Sequence, residues 1–161
     1  MNTHRLLTCL AALSLAFAAA SCGGEAEAPV SAAPDAPEGV TITGGRLSLP
    51  AVSGNPGAVY FTIKNAGDSD VMIRAVNVAG AESAVTHLTS EWSGKVDMQE
   101  LQQVAVPKDS EVAFEPGAMH IMAMGLDDTL KAGGETEVTL TFVGGDKASF
   151  PAQIRAPGDD S

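Results

Sequence analysis

The stretch Pro116-Gly117-Ala118-Met119-His120-Ile121-Met122-Ala123-Met124-Gly125-Leu126 decides how this chain is read. It opens on a Pro-Gly turn, and Gly125 punctuates its far end. If Met119 to Met124 is extended, successive side chains fall on opposite faces. His120, Met122 and Met124 then share one face, and Met119, Ile121 and Ala123 share the other. One face offers an imidazole and two thioethers, donors suited to soft metals and above all to Cu(I). The plainer reading is core filler: Met packs irregular gaps, and a histidine there needs only a hydrogen-bond partner. Taken alone the stretch favours the plainer reading, so the rest of the chain has to decide.

Outward from that stretch the pattern stays β. Upstream, Val40 to Thr43 and Arg46 to Leu49 read as two short strands around Gly44-Gly45. Ala58 to Asn65 sets Val59, Phe61 and Ile63 against Tyr60, Thr62 and Lys64. Val71 to Val78 sets Val71, Ile73 and Ala75 against Met72, Arg74 and Val76, and either set suits a core. Ala84 to Trp92 and Lys95 to Val104 read as two strands joined at Ser93-Gly94, and Glu111 to Glu115 as a short strand. Downstream, a turn over Leu130 to Gly134 precedes the clearest alternation, Val138, Leu140 and Phe142 against Glu137, Thr139 and Thr141. Lys147 to Ile154 closes the series. Short, closely spaced strands with Gly/Pro turns and no helical period indicate an all-β fold, an antiparallel sandwich or Greek-key barrel.

The first residues are set aside from the fold. Arg5 is followed by the apolar run Leu6 to Ala20, too short to span a bilayer comfortably, and then by Ser21-Cys22-Gly23-Gly24. This looks like a bacterial lipoprotein leader whose lipobox ends at Cys22, with Ala19 where leucine is usual. Cleavage before Cys22 would leave its thiol to be lipidated; an ordinary signal peptidase would cut near the same alanines. Either route exports the protein. Glu25 to Glu38 is Ala, Pro and Glu with almost nothing to bury, the composition of a tether. The expected organisation is a leader over 1–21, a flexible tether over 22–39, one domain over 40–155 and a frayed tail over 156–161.

Cysteine usage narrows the chemistry. Of the two cysteines, Cys9 lies in the leader and Cys22 is the lipidation candidate. The domain therefore has no disulfide, thiolate ligand or thiol nucleophile. A blue-copper electron carrier, which needs a cysteine ligand, is excluded. The net charge of −11 argues against nucleic acid as a partner.

Two histidines remain beyond the leader, His87 and His120, with five methionines, Met72, Met98, Met119, Met122 and Met124. Ten residues separate His87 from Met98, twenty-one separate Met98 from His120, and one separates His120 from Met122. A hairpin about Ser93-Gly94 brings the strands of His87 and Met98 together. Met124 is in register with His120 and Met122, as a spare ligand or as a packed neighbour. Met119 points to the opposite face, and Met72 reads as packing. Trp92 is placed to shield a metal, contact a partner or simply pack. Asp97 and Glu100 flank Met98 as solvated charges or as a lure for cations.

The series His-x10-Met-x21-His-x-Met resembles the motif of the periplasmic copper chaperone family often called PCuAC. The likeness extends to Ala58-Val59-Tyr60-Phe61-Thr62-Ile63-Lys64-Asn65, to Pro116 through Leu126 and to Leu130 through Phe142, and covers roughly Val40 to Ile154. Leu88 stands where many relatives have a second methionine, and the tail lacks the His and Met of relatives with a second copper. The resemblance implies a cupredoxin-like β-barrel that binds one Cu(I) through His87, Met98, His120 and Met122. Together with the leader, the expectation is a monomer in the periplasm, held at the membrane through a lipid on Cys22. Copper would pass to respiratory cytochrome oxidase, at the CuA centre of subunit II, or to another copper-delivery protein. The alternatives are a copper buffer or resistance protein with the same site, and a metal-free structural β-sandwich lipoprotein. No catalytic Ser/His/Asp series, paired carboxylates or phosphate loop points to an enzyme. The chemistry is coherent in itself: two imidazoles and two thioethers are neutral, so the bound ion keeps a charge of about +1 and must lie near the surface.

Overall fold

Alternation of apolar and polar side chains builds most of the strands, and the computed structural model describes residues 35–159. The leader, Cys9, Cys22 and most of the tether lie outside the described residues. Ten strands follow in order: β1 (Val40–Ser48), β2 (Gly57–Asn65), β3 (Val71–Val78), β4 (Ala81–Trp92), β5 (Lys95–Leu101), β6 (Val104–Val106), β7 (Ser110–Phe114), β8 (Met119–Leu126), β9 (Glu135–Phe142) and β10 (Lys147–Arg155). There is no helix among the described residues. The all-β class expected from the strand spacing is the class observed.

The hydrogen-bonded order is β5-β4-β8-β2-β1-β10-β9-β3-β6, with β7 added on β2 beside β8. Neighbours are antiparallel except β1 and β10, which run parallel from Arg46 opposite Gln153 to Ser48 opposite Arg155. One face of this path is apolar. Val59, Phe61 and Ile63 of β2, Ile121 and Ala123 of β8, and Val138, Leu140 and Phe142 of β9 are all buried in one cluster. Phe61 sits at its centre, stacked on Phe114 at 4.2 Å and tilted against Phe150 at 4.9 Å. A single core shared by both ends of the path requires the sheet to curl on itself. Buried Asn65 ties that closure. Its Nδ2 donates to the carbonyls of Ser69 and Val106, and its Oδ1 accepts from the N–H of Gly67.

Three local readings change. The two strands expected around Gly44-Gly45 are one strand, β1, with a bulge where the pairing to β2 shifts between Thr43 and Arg46. Gly44 takes φ +66° there, a conformation that costs glycine little. In β3 a second irregularity, between Ile73 and Ala75 against β9, slips the alternation. Ile73 stays inward, but beyond it the inward set passes to Val78, so neither of the two faces read from the sequence is the core face throughout. The strand read over Lys95 to Val104 ends at Leu101, and Val104–Val106 leaves β4 to pair with β3. The turn between β4 and β5 is as expected: Ser93 and Gly94 both have positive φ, 53° and 74°, and Trp92 pairs with Lys95 across them.

Candidate metal centre

Strand β8 divides as its sequence requires. Ile121 and Ala123 are fully buried in the core and Met119 packs against it, so His120, Met122 and Met124 occupy the face turned away from the core. That face is flanked by the neighbouring strands of the sheet. On one side β4 places His87 opposite His120, Val85 opposite Met122 and Ser83 opposite Met124. On the other, β2 places Ala58 opposite Met122, and the Tyr60 ring lies 6.4 Å from the His120 ring. Small Ala58 and Ser83 leave the thioethers room, whereas His120 is wedged between two rings and is only 9% exposed.

The two imidazoles face each other with centroids 6.1 Å apart and planes at 64°. Two rings that share one ion through metal–nitrogen bonds of about 2 Å have centroids roughly 5–6.5 Å apart, so this spacing suits a common ion. Their hydrogen bonding differs. His120 Nδ1 lies 3.2 Å from the Ala118 carbonyl. A proton on Nδ1 donates there and leaves Nε2 with its lone pair free, the usual arrangement of a metal-binding histidine. His87 Nδ1 is buried and has no hydrogen-bond partner among the described residues. A buried acceptor or donor left single carries an energetic penalty that a ligated ion would remove.

Met98 completes the set only in part. It lies on β5 opposite Thr89; the residue opposite His87 is Glu100. Met98 is therefore the diagonal neighbour of His87, within reach of a long side chain. Met122 lies on the other diagonal, toward Val85, so the two thioethers flank the imidazole pair from opposite ends. Met98 is 50% exposed, on a strand of which Leu101 alone is partly covered. Met124 is four residues from His120, about 13 Å along the strand, and stands beside Met122 rather than beside the imidazoles. Glu100 accepts a hydrogen bond from Gln102 Nε2 at 2.9 Å.

Two neighbours were not singled out by sequence. Tyr60 walls His120, and the Arg46 guanidinium lies 4.7 Å above the Tyr60 ring. Alternation in β2 does place Tyr60 on the outward face; what the sequence lacked was the pairing of β2 with β8. Among the described residues no three of His, Cys, Asp and Glu come together as a metal site. Thioethers are among the donors within reach of the imidazole pair, and imidazole with thioether is a combination that suits soft, low-charge ions.

Solved structures that share this fold include PCuAC domains. The chain resembles the copper-bound PCuAC domain from PmoF2 with a TM-score of 0.64 at 18% identity, over 81% of this chain and 99% of that one. It resembles the apo PCuAC domain from PmoF1 with a TM-score of 0.65 at 23% identity, over 81% and 100%. The Cu(I) form of DR1885 from Deinococcus radiodurans matches with a TM-score of 0.58 at 22% identity, over 70% and 75%. By sequence, the chain is 25% identical over 155 residues to "Putative lipoprotein Lxx21020" of Leifsonia xyli subsp. xyli, covering 96% of this chain and 92% of that one. The profile of the family described as "Putative lipoprotein LpqE-like" matches residues 40–154, the whole β domain. The chain belongs to this LpqE-like family.

Proposed function

We propose that this protein is an exported copper chaperone that binds one Cu(I) at the imidazole pair and hands it on. His87, His120 and Met122 are the ligands on the sheet, and Met98 closes the site from the hairpin. The observation that carries this reading is the direct opposition of His87 and His120 across β4 and β8, rings 6.1 Å apart, with Met122 on the same face. The fold shared with domains solved with copper supports it. A d10 monovalent ion accepts four neutral donors without demanding a thiolate, and a site with half-exposed Met98 at its edge lets the ion out again. Protons compete for the imidazole nitrogens, so affinity should fall on acidification while the thioethers remain available.

The anchor is a diacylglyceryl-type lipid on Cys22, with the tether expected over 22–39 as the reach between membrane and domain. Membership of a lipoprotein-type family supports this. Delivery runs to the CuA centre of cytochrome oxidase subunit II in the periplasm. The test is a Cu(I) titration against a coloured chelator, followed by transfer to the apo soluble domain of oxidase subunit II. One equivalent bound by the wild type and lost in His120→Ala and in Met122→Leu is the expected result. Unchanged affinity in both variants overturns the site; tight binding without transfer makes the protein a buffer.

A further inference from the structure

We propose that the β4–β5 hairpin is the docking surface for the copper acceptor, and that the acceptor presents a basic rim around soft metal ligands. The proposal rests on the Cu(I) reading of the imidazole pair. β5 ends the hydrogen-bonded path, so one side of it has no strand partner among the described residues. Alternation puts Val96, Met98 and Glu100 on the face that carries His87, opposite Glu91, Thr89 and His87 respectively. Val96 is 69% exposed and Met98 50%. Large apolar side chains so open to water, two residues apart and next to a metal ligand, suit a surface that another protein covers.

The charge around them names the partner's chemistry. Glu91 and Glu100 are exposed on that face, while Asp97 and the hairpin cation Lys95 are exposed on its reverse, so the hairpin carries a net negative charge. Facing carboxylates discourage a second copy of the same edge, as charged side chains on edge strands commonly do. They also repel an anionic lipid surface. A basic rim would instead be steered to the hairpin. Once docked, the acceptor exchanges ligands without redox change. Its thioether, thiolate or imidazole forms a bond to Cu(I), the Cu–Sδ bond of Met98 breaks, and the remaining bonds follow in turn. Met98 is the first to leave because it is the ligand already open to solvent.

The experiment uses the full chain loaded with one Cu(I) and two synthetic acceptor peptides. Both peptides carry the same His/Met core; one is flanked by lysines and the other by glutamates. The lysine peptide should take copper about tenfold faster at low salt, with the difference fading at high salt. Glu91→Lys with Asp97→Lys should erase that preference. Asp68→Lys with Asp146→Lys, the same change in net charge away from the hairpin, should keep it. Val96→Ser should slow transfer while leaving affinity for a Cu(I) chelator unchanged. Equal rates for the two peptides, or a preference lost equally in both charge-reversed variants, would overturn the proposal. So would a dimer, or binding to anionic vesicles, that Val96→Ser abolishes. A wild type that binds no Cu(I) fails at the earlier step, the site itself.

Discussion

His120 does two things with one ring. Nδ1 faces the Ala118 carbonyl, and the ring plane is held between His87 and Tyr60. Both constraints aim Nε2 at the space shared with His87. Nitrogen-15 spectra of the imidazoles should therefore show His120 as the Nδ1–H tautomer before Cu(I) is added, and the Nε2 signal should be the one that moves. A move at Nδ1 would contradict the assignment. The methionines of β8 separate by position in the same way. Met122→Leu removes a thioether beside the imidazoles and should cost more than about a hundredfold in Cu(I) affinity, well beyond what changing an outer partner costs. Met124→Leu, one further alternation along the strand, should leave affinity within about twofold by chelator competition. Much of this was legible in the sequence: alternation alone put His120, Met122 and Met124 on one face. The opposition of His87 and His120 was not, because residues so far apart in the chain find their register through the core and not through local pattern.

At the scale of elements, turns and alternation could be read and irregularities could not. Ser93-Gly94 has the composition of a two-residue hairpin turn, and the structure has one. The bulges in β1 and β3 are set by packing against β2 and β9, so an alternation count slips by one residue past each. Asn65 shows how one polar side chain can fix such a joint. It is fully buried, gives two hydrogen bonds to carbonyls and takes one from an amide. Asn65→Asp replaces both donated bonds with a charge facing carbonyl oxygens, and should cost about 3 kcal/mol in urea unfolding. Cu(I) affinity of the folded fraction should not change, because Asn65 lies at the closure of the sheet and not on the imidazole face. The turn after β8 offers a pH-dependent case. The Thr129 N–H donates to Asp127 Oδ1 at 2.7 Å, and that bond, helped by the Thr129 side chain, holds the Asp127 carboxyl below the ordinary aspartate value. A lowered folded value means the contribution is present above the unfolded value of about 3.9 and is lost as pH falls through the folded one. Asp127→Ala should thus melt slightly below the wild type at neutral pH, and the two melting curves should converge in stronger acid.

For the molecule as a whole, the site lies where the sheet is least supported. The buried core residues come from β1, β2, β3, β6, β7, β8, β9 and β10, whereas β5 contributes only through partly covered Leu101. An outer hairpin with few buried apolar contacts is the part expected to open first. A Cu(I) ion held by Met98 on β5, His87 on β4 and His120 with Met122 on β8 would join three strands of that region. Binding to the folded state alone adds about 2.7 kcal/mol when free ion is at a hundred times Kd. For a domain of this size that is a rise of roughly 10 °C in melting temperature. The rise should be absent in His87→Ala with His120→Ala, and it should be matched by Ag(I), a d10 ion with the same preference for soft donors. Hydrogen exchange gives the same expectation residue by residue: amides of β4 and β5 should slow on loading, while those of β9 and β10, far along the path, should follow only the global change. Slowing spread evenly over all ten strands would mean that the ion stabilises the fold without closing the hairpin, and Met98 would then not be a ligand.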